Sequence, residues 1–307
     1  MSQSISLHEV VIQTIMNDLE QSFISTYEIG AILYNVVKNK EYKSRPLRLK
    51  SERLAERSDV NRVISKLLAE KVLITVTGLP KHLLAFNPRY QVEKENPNKL
   101  ICQIDPFLYI SHLSAMTIHG LTDRLPTTIF CTTLTPSFWT KEAEKRMQKE
   151  LEENYKEYVF DTDLPILKRT RFVQGKFIGM PVEIKLSSSV KGAFKNFQNG
   201  LRVSTIGKTF LDMIRVPSLC GGIAHVMDVY EAHAETYLDL IIDEINQHGT
   251  QIEKARAGYL FEEICEIKNA NIDEWLSTVQ RGGSRKLDPQ APFESEYSEK
   301  WGLSLNV

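Results

Sequence analysis

Paired cysteines are missing from this chain. The four present, Cys102, Cys131, Cys220 and Cys265, are far apart in sequence and form no Cys-x-x-Cys motif. That excludes the common zinc modules and a disulfide scaffold, and it points to a reducing cytoplasm. No window supplies the ~20 apolar residues that a membrane helix requires. The opening stretch MSQSISLHEVVIQTIMNDLEQ lacks the basic lead and long apolar run of a secretory signal. There is no Gly-x-Gly-x-x-Gly, no internal repeat and no low-complexity segment, and no cofactor is expected. Surplus charge is absent too: 38 Lys and Arg stand against 39 Asp and Glu, a formal net charge of -1. Any contact with nucleic acid must therefore come from uneven placement of charge rather than from the whole.

What is present suits a globular protein of two or three domains, with 307 residues, 42% of them hydrophobic and 25% charged. The charge is indeed uneven. From Lys38 to Lys71 there are eleven Lys or Arg against five Asp or Glu.

In the first hundred residues, Val10, Val11, Ile15 and Leu19 recur on one helical face. Ser25 and Glu28 make a capping box ahead of a second helix. A basic connector, KNKEYKSRPLRLKSERLAER, has room for a further helix around Leu47, Leu54 and Ala55. Ser58 then reads as the N-cap of DVNRVISKLLAEK, whose Val60, Val63, Ile64, Leu67 and Leu68 form an apolar stripe. Asn61, Arg62, Ser65 and Lys66 are left on the opposite face. VLITVTGLPKHLLAF follows as a hairpin around a Gly-Leu-Pro-Lys turn.

Helix, helix, basic helix, hairpin is the order of a winged helix. A helix of this kind enters the major groove with a few side chains on base edges, while nearby cations neutralise phosphates. The candidate DNA contacts are Ser58, Asn61, Arg62, Ser65 and Lys66 on the helix, Lys81 and His82 at the wing tip, and Arg48, Lys50 and Arg53 in the connector. The plainer alternatives are a winged helix used for protein contacts and a basic run that is only a solvated face.

YQVEKENPNKL, polar and broken by proline, reads as a linker. It divides the chain into 1–97 and 98–307, and few apolar positions cross it, so each part is expected to keep its own core. Beyond it KLICQI, TTIFCTT, ILKRTRFV, GKFIGMPVEIKLSS and LRVSTI read as strands. FLYISHLSAMTIHGL and SFWTKEAEKRMQKELEENY read as helices, and helices dominate after about residue 206. The fold class expected is α+β: an N-terminal winged helix-turn-helix, then a mixed α/β domain with a helical C-terminal part.

Competing chemistry is thin. Glu183 and Lys185, two apart on a strand, project from one face, with Asp161 and Asp163 about twenty residues earlier. A metal-dependent nuclease of the restriction-endonuclease class needs such a set, yet Glu-x-Lys is common on amphipathic strands. His112 with His119, and His225 with His233, lack metal-site spacing. RVPSLCGGIAHV could bare backbone N–H groups to a phosphate or hold Cys220 as a nucleophile. Its other reading is a joint, in which Pro217 ends one helix and Gly221 and Gly222 allow the tight start of the next. Asp212 and Arg215, three apart on the preceding helix, are then structural as well.

Three stretches in this order, YISHLSAMTIHGLTDRLP, VSTIGKTFLDMIRVPSLCGGIAHV and ARAGYLFEE, resemble landmarks of the AbiEi family. These are antitoxins and transcriptional regulators of type IV toxin-antitoxin (abortive infection) systems. The resemblance covers most of residues 105 to 268. It implies a non-enzymatic regulator that binds inverted repeats in its own promoter. Its partner would be a nucleotidyltransferase-like toxin encoded alongside, countered by residues 98–307.

Overall fold

The computed structural model describes residues 4–48, 53–87, 96–172, 175–197, 200–279 and 285–307. The candidate contact Lys50 lies outside them. The architecture is α+β, with a winged helix-turn-helix, then a mixed sheet, then a run of helices.

In the first part, α1 (Leu7–Asn17), β1 (Phe23–Ser25) and α2 (Thr26–Asn39) follow one another. The Glu28 backbone N–H donates to Ser25 Oγ at 3.1 Å and the Glu28 carboxylate accepts the Ser25 N–H at 2.7 Å, closing the expected box. Among its described residues the basic connector forms no helix of its own. It turns instead through a short hairpin, β2 (Glu41–Tyr42) against β3 (Arg45–Pro46). Leu47, Leu54 and Ala55, whose spacing suggested a helix, still pack on the core.

Next comes α3 (Arg57–Ala69), which starts two residues before a Ser58 cap would place it. Glu56 is the N-cap, and Asp59 Oδ2 accepts the Glu56 N–H at 3.1 Å. The wing is β4 (Leu73–Ile74) with β5 (Leu83–Phe86), and β5 also pairs with β1. The antiparallel order is β1-β5-β4.

The second part runs α4 (Pro97–Ile104), β6 (Tyr109–Ile110), α5 (His112–Ile118), β7 (Ile129–Leu134), α6 (Pro136–Leu151) and a π-helical turn at Glu157–Asp161. It continues with β8 (Lys176–Phe177), β9 (Met180–Ser187), β10 (Phe194–Asn196) and β11 (Arg202–Ser204). These strands make one sheet in the order β10-β11-β6-β7-β9-β8, parallel at β11/β6 and β7/β9 and antiparallel elsewhere.

Two strand readings are corrected here. KLICQI is helical because Asn96 caps it, its Oδ1 accepting the Asn98 N–H at 2.9 Å, and Pro97 occupies the first helical position, where no N–H is needed. ILKRTRFV joins no sheet among its described residues. Leu164, Leu167 and Thr170 are buried in a segment without regular secondary structure instead.

The last part holds α7 (Ile206–Arg215), α8 (Ile223–His233), α9 (Leu238–His248), α10 (Gln251–Tyr259), a π-helical turn at Leu260–Ile264 and α11 (Ala270–Ser277). A small hairpin, β12 (Tyr297–Ser298) with β13 (Leu303–Ser304), brings Trp301 against Gly258. No described helix is long and apolar enough to cross a membrane.

The core does not stop at the linker. Tyr27, Leu33 and Tyr34 of α2 share one cluster with Trp139, Met147 and Leu151 of α6 and with Tyr158 and Leu164 beyond it. The Tyr158 ring meets those of Tyr27 and Tyr34 edge-on, with centroids 6.1 and 5.3 Å apart. Gly30 is what lets it in: a Cβ there would lie 2.7 Å from the Tyr158 hydroxyl. Phe23, Leu83 and Ala85 likewise join Leu100, Ile110, Ile129 and Val203. Each side of a cut near residue 97 thus covers apolar surface of the other.

Candidate nucleic-acid interface

The apolar stripe of α3 is buried through Val60, Val63 and Leu67, which turns Asn61, Arg62, Ser65 and Lys66 outward. Ser58 is exposed in the first turn, its hydroxyl donating to the Glu56 carboxylate at 3.2 Å. Asp59 is the exception on this surface, a carboxylate only 2% exposed. Arg53 grips it with both terminal nitrogens, at 2.8 and 2.9 Å, and Arg62 donates to the same carboxylate from one turn on. Burial pushes the Asp59 pKa up. The Arg53 hydrogen bonds, the Glu56 N–H and the charges of Arg53 and Arg62 outweigh that and leave it below the usual carboxylate range.

These residues border a groove of about 530 Å³ between the start of α1 and the exposed face of α3, lined by Ser6, Leu7, His8, Arg48, Arg53, Asp59, Arg62 and Lys66 among others. Arg48, Arg53, Arg62 and Lys66, four of the sequence candidates, thus come together. Arg48 is held by donating to the Ser4 carbonyl at 3.1 Å. His8 Nδ1 lies 2.8 Å from Ser6 Oγ and 3.3 Å from Lys66 Nζ, linking α1 to α3. Neither Ser6 nor His8 was among the candidates. The signal for them is the capping box Ser6-x-x-Glu9, which fixes the start of α1 and hence what stands beside α3.

At the wing the two candidates part company. Lys81 is exposed. His82 is half-buried, its Nε2 enclosed without a protein partner, and burial lowers its pKa with help from the charge of Lys168. Its carbonyl accepts the Thr26 N–H at 2.9 Å, tying the wing to the start of α2. His82 is thus turned into the molecule and Lys81 away from it.

No family model matches the chain, and no curated protein matches it. Among solved structures, the fold is similar to the crystal structure of RV2827C protein from Mycobacterium tuberculosis. That protein is 12% identical, with a TM-score of 0.49, over 97% of this chain and 90% of the other.

Glu183 and Lys185 share the exposed face of β9, as their spacing implies. Asp163 is already engaged, accepting the Arg57 N–H at 2.7 Å. Among the described residues no group of three or more His, Cys, Asp or Glu is arranged to hold a metal ion. His112, His119 and His225 each have a partner in the chain: Ser111 Oγ at 2.8 Å, the Ser204 carbonyl at 2.7 Å and Thr122 Oγ1 at 3.0 Å.

Residues 215–226 form a joint. Pro217–Cys220 is a 3-10 turn, and Gly221 and Gly222 follow with φ of 93° and 92°, a region L side chains rarely adopt. The Gly222 N–H is spent on the Pro217 carbonyl at 2.8 Å. Burial raises the Cys220 thiol well above its ordinary value, the opposite of what a nucleophile requires. Asp212 and Arg215 do not pair with each other. Asp212 takes Lys208, and Arg215 takes Glu253 at 2.6 Å and the His248 carbonyl at 2.5 Å. A Gly-Lys-Thr triplet, Gly207 to Thr209, precedes them and is equally committed. Gly207 admits the backbone of α9, where a Cβ would lie 2.2 Å from the Leu240 carbonyl oxygen, and Thr209 Oγ1 donates to the Thr205 carbonyl.

Proposed function

We propose that this protein is a cytoplasmic antitoxin and autoregulatory transcriptional repressor of a type IV toxin-antitoxin system. It binds inverted repeats in its own promoter through α3 and the wing, and it counters a nucleotidyltransferase-like toxin through residues 98–307. The observation that carries the DNA reading is the polar face of α3. Asn61, Arg62, Ser65 and Lys66 stand outward beside a groove lined by two further arginines. Exposed Asn and Ser are residues that read base edges, while clustered cations neutralise phosphates. The antitoxin reading is supported by the resemblance of the stretches around Tyr109, Asp212 and Tyr259 to the AbiEi landmarks. A carboxylate-metal site is not part of this reading.

The test is a mobility shift of the full chain on a duplex from its own promoter, at several salt concentrations. Arg62→Ala and Lys66→Ala should each weaken binding and flatten the dependence of log affinity on log salt by about one unit. Unchanged affinity in both variants would remove α3 as the reading helix. For the second activity, co-expression with the neighbouring toxin should restore growth. Growth arrest despite soluble, folded protein would remove the antitoxin assignment.

A further inference from the structure

We propose that the groove between the start of α1 and α3 is a seat for a phosphate, occupied by one backbone phosphate of duplex DNA and held by Arg48, Arg62 and Lys66, with His8 at its rim. The inference rests on the DNA reading above and deepens it. It divides α3 into residues that read bases and residues that hold the backbone, and it adds contacts from outside α3.

Three observations carry it. The first is charge: among the groove's lining residues four cations surround a single acid, Asp59. Three further acids stand at its margin: Glu56 3.3 Å from Arg53, Glu70 3.9 Å from both Lys66 and His8, and Glu9, whose carboxylate accepts the Ser6 N–H at 2.8 Å. Glu56 and Glu70 are exposed, where an ion pair is worth little, and Glu9 is committed to its capping box.

The second is geometry. Asp59 is 2% exposed beneath the guanidiniums of Arg53 and Arg62, whereas the side chain of Arg62 is 68% exposed. Arg62 is therefore anchored at one terminal nitrogen with the rest of its fork open to solvent. An arginine drawn back against its own helix in this way suits a phosphate that approaches the groove. It is poorly placed for a base edge, which needs the fork extended from the helix. Asn61 and Ser65 stand exposed on the helix without such anchoring and fall to base reading.

The third is convergence. Arg48 reaches the groove from the segment after β3, held on the Ser4 carbonyl, while His8 and Ser6 enter from the first turn of α1. Three separate pieces of chain thus face one concavity, which fixes the position of an anion better than one helix alone can.

The shared chemistry is a phosphate oxyanion, and two arms of one experiment separate its sources. In the first, fluorescence anisotropy of the full chain on promoter and unrelated duplexes is followed between 50 and 200 mM salt. Arg48→Ala is expected to lose about one unit of salt slope, so that the affinity gap to wild type changes about threefold to fourfold across that range. The loss should be the same on both duplexes, whereas Asn61→Ala should lower only the preference for the promoter. Thermal melts of each variant establish that it is folded. In the second arm, inorganic phosphate is titrated while the amide signals of Ser6, His8, Arg48 and Lys66 are followed by NMR.

If Arg48→Ala keeps the wild-type slope while Arg62→Ala and Lys66→Ala lose theirs, the groove is overturned and the α3 reading stands. If wild type binds no duplex yet phosphate saturates those four signals, the DNA reading falls and the seat belongs to a free phosphate. If neither ligand binds, the seat itself is overturned.

Discussion

The backbone N–H of Arg57, the first residue of α3, donates to Oδ1 of Asp163 at 2.7 Å, and Arg57 Nε donates to the Asp163 carbonyl at 2.9 Å. A helix start leaves its first N–H groups without intrahelical partners. Here one of them is satisfied by a carboxylate from 106 residues further along the chain. α3 is thus capped from the other side of the linker. Asp163→Ala should cost about 0.5 to 2 kcal/mol, the range for loss of a capping side chain. Amide hydrogen exchange should quicken first at residues 57 to 60. Exchange that quickens evenly over the whole chain, or not at all, would show that this bond does not hold α3.

Tyr158 is fully buried between α2 and the segment after α6, with its hydroxyl donating to the Pro165 carbonyl at 2.7 Å. Tyr158→Ala should destabilise the protein by about 3 to 5 kcal/mol, as other deletions of large buried rings do. Urea unfolding followed separately by signals from α2 and from α6 should show both melting together. A fragment of residues 98–307 should bind hydrophobic dyes and melt below the full chain. Two independent transitions, with the fragment as stable as the whole, would count against the shared core.

The joint and α10 offer two glycines whose replacement fails for different reasons. At Gly222 a Cβ meets nothing within 4 Å, but φ is 92°, so Gly222→Val should cost about 1 to 3 kcal/mol through backbone strain alone. At Gly258 a Cβ would lie 2.1 Å from the Trp301 ring, so even Gly258→Ala must push the indole out of a fully buried site. Trp301 fluorescence should shift to the red in Gly258→Ala and stay unchanged in Gly222→Val. An unshifted spectrum for Gly258→Ala would mean that the tail does not pack as described.

Burial lowers the pKa of His112, His119 and His225. A histidine that titrates lower when folded is protonated first in the unfolded chain, so stability falls as acid is added. Their contribution is whole above the unfolded value of about 6.5 and is lost as pH drops through the folded values. Asp59 and Glu253 are acids held below their ordinary range: burial works against them, and their arginines and backbone N–H donors prevail. Their contribution survives until about pH 4 and is lost below it. The urea midpoint should therefore be level from about pH 8 to 7, decline towards about pH 5 and fall again below about pH 4. A midpoint unchanged from pH 7 to 5 would mean that these histidines are not buried neutral.

The winged helix was legible because each element carried its own punctuation: a capping box at Ser25, a stripe from Val60 to Leu68, a Gly-Leu-Pro turn in the hairpin. Local signals decided local structure. KLICQI failed because a six-residue apolar run fits strand and helix alike. The deciding cue is Asn96-Pro97 just ahead of it, a pair that suits a linker as well as a helix start. At Ser58 a good capping residue lost to Glu56, since Asp59 supplies the reciprocal bond three residues on. In the site, the outward face of α3 followed from spacing, whereas the inward turn of His82, the grip of Arg53 on Asp59 and the presence of His8 did not. Each depends on which distant element packs alongside, and periodicity shows that a face is covered without showing by what.

That distinction matters for anyone grafting this winged helix onto another protein. A chimera joined at residue 97 would inherit α2 without Trp139, Tyr158 and Leu164, and α3 without the carboxylate at Asp163. Residues 136–167 would have to accompany the first part, and even then Phe23, Leu83 and Ala85 would lose the cover of Leu100, Ile110, Ile129 and Val203. Gly30 would have to travel with Tyr158, since the missing Cβ of one makes room for the hydroxyl of the other.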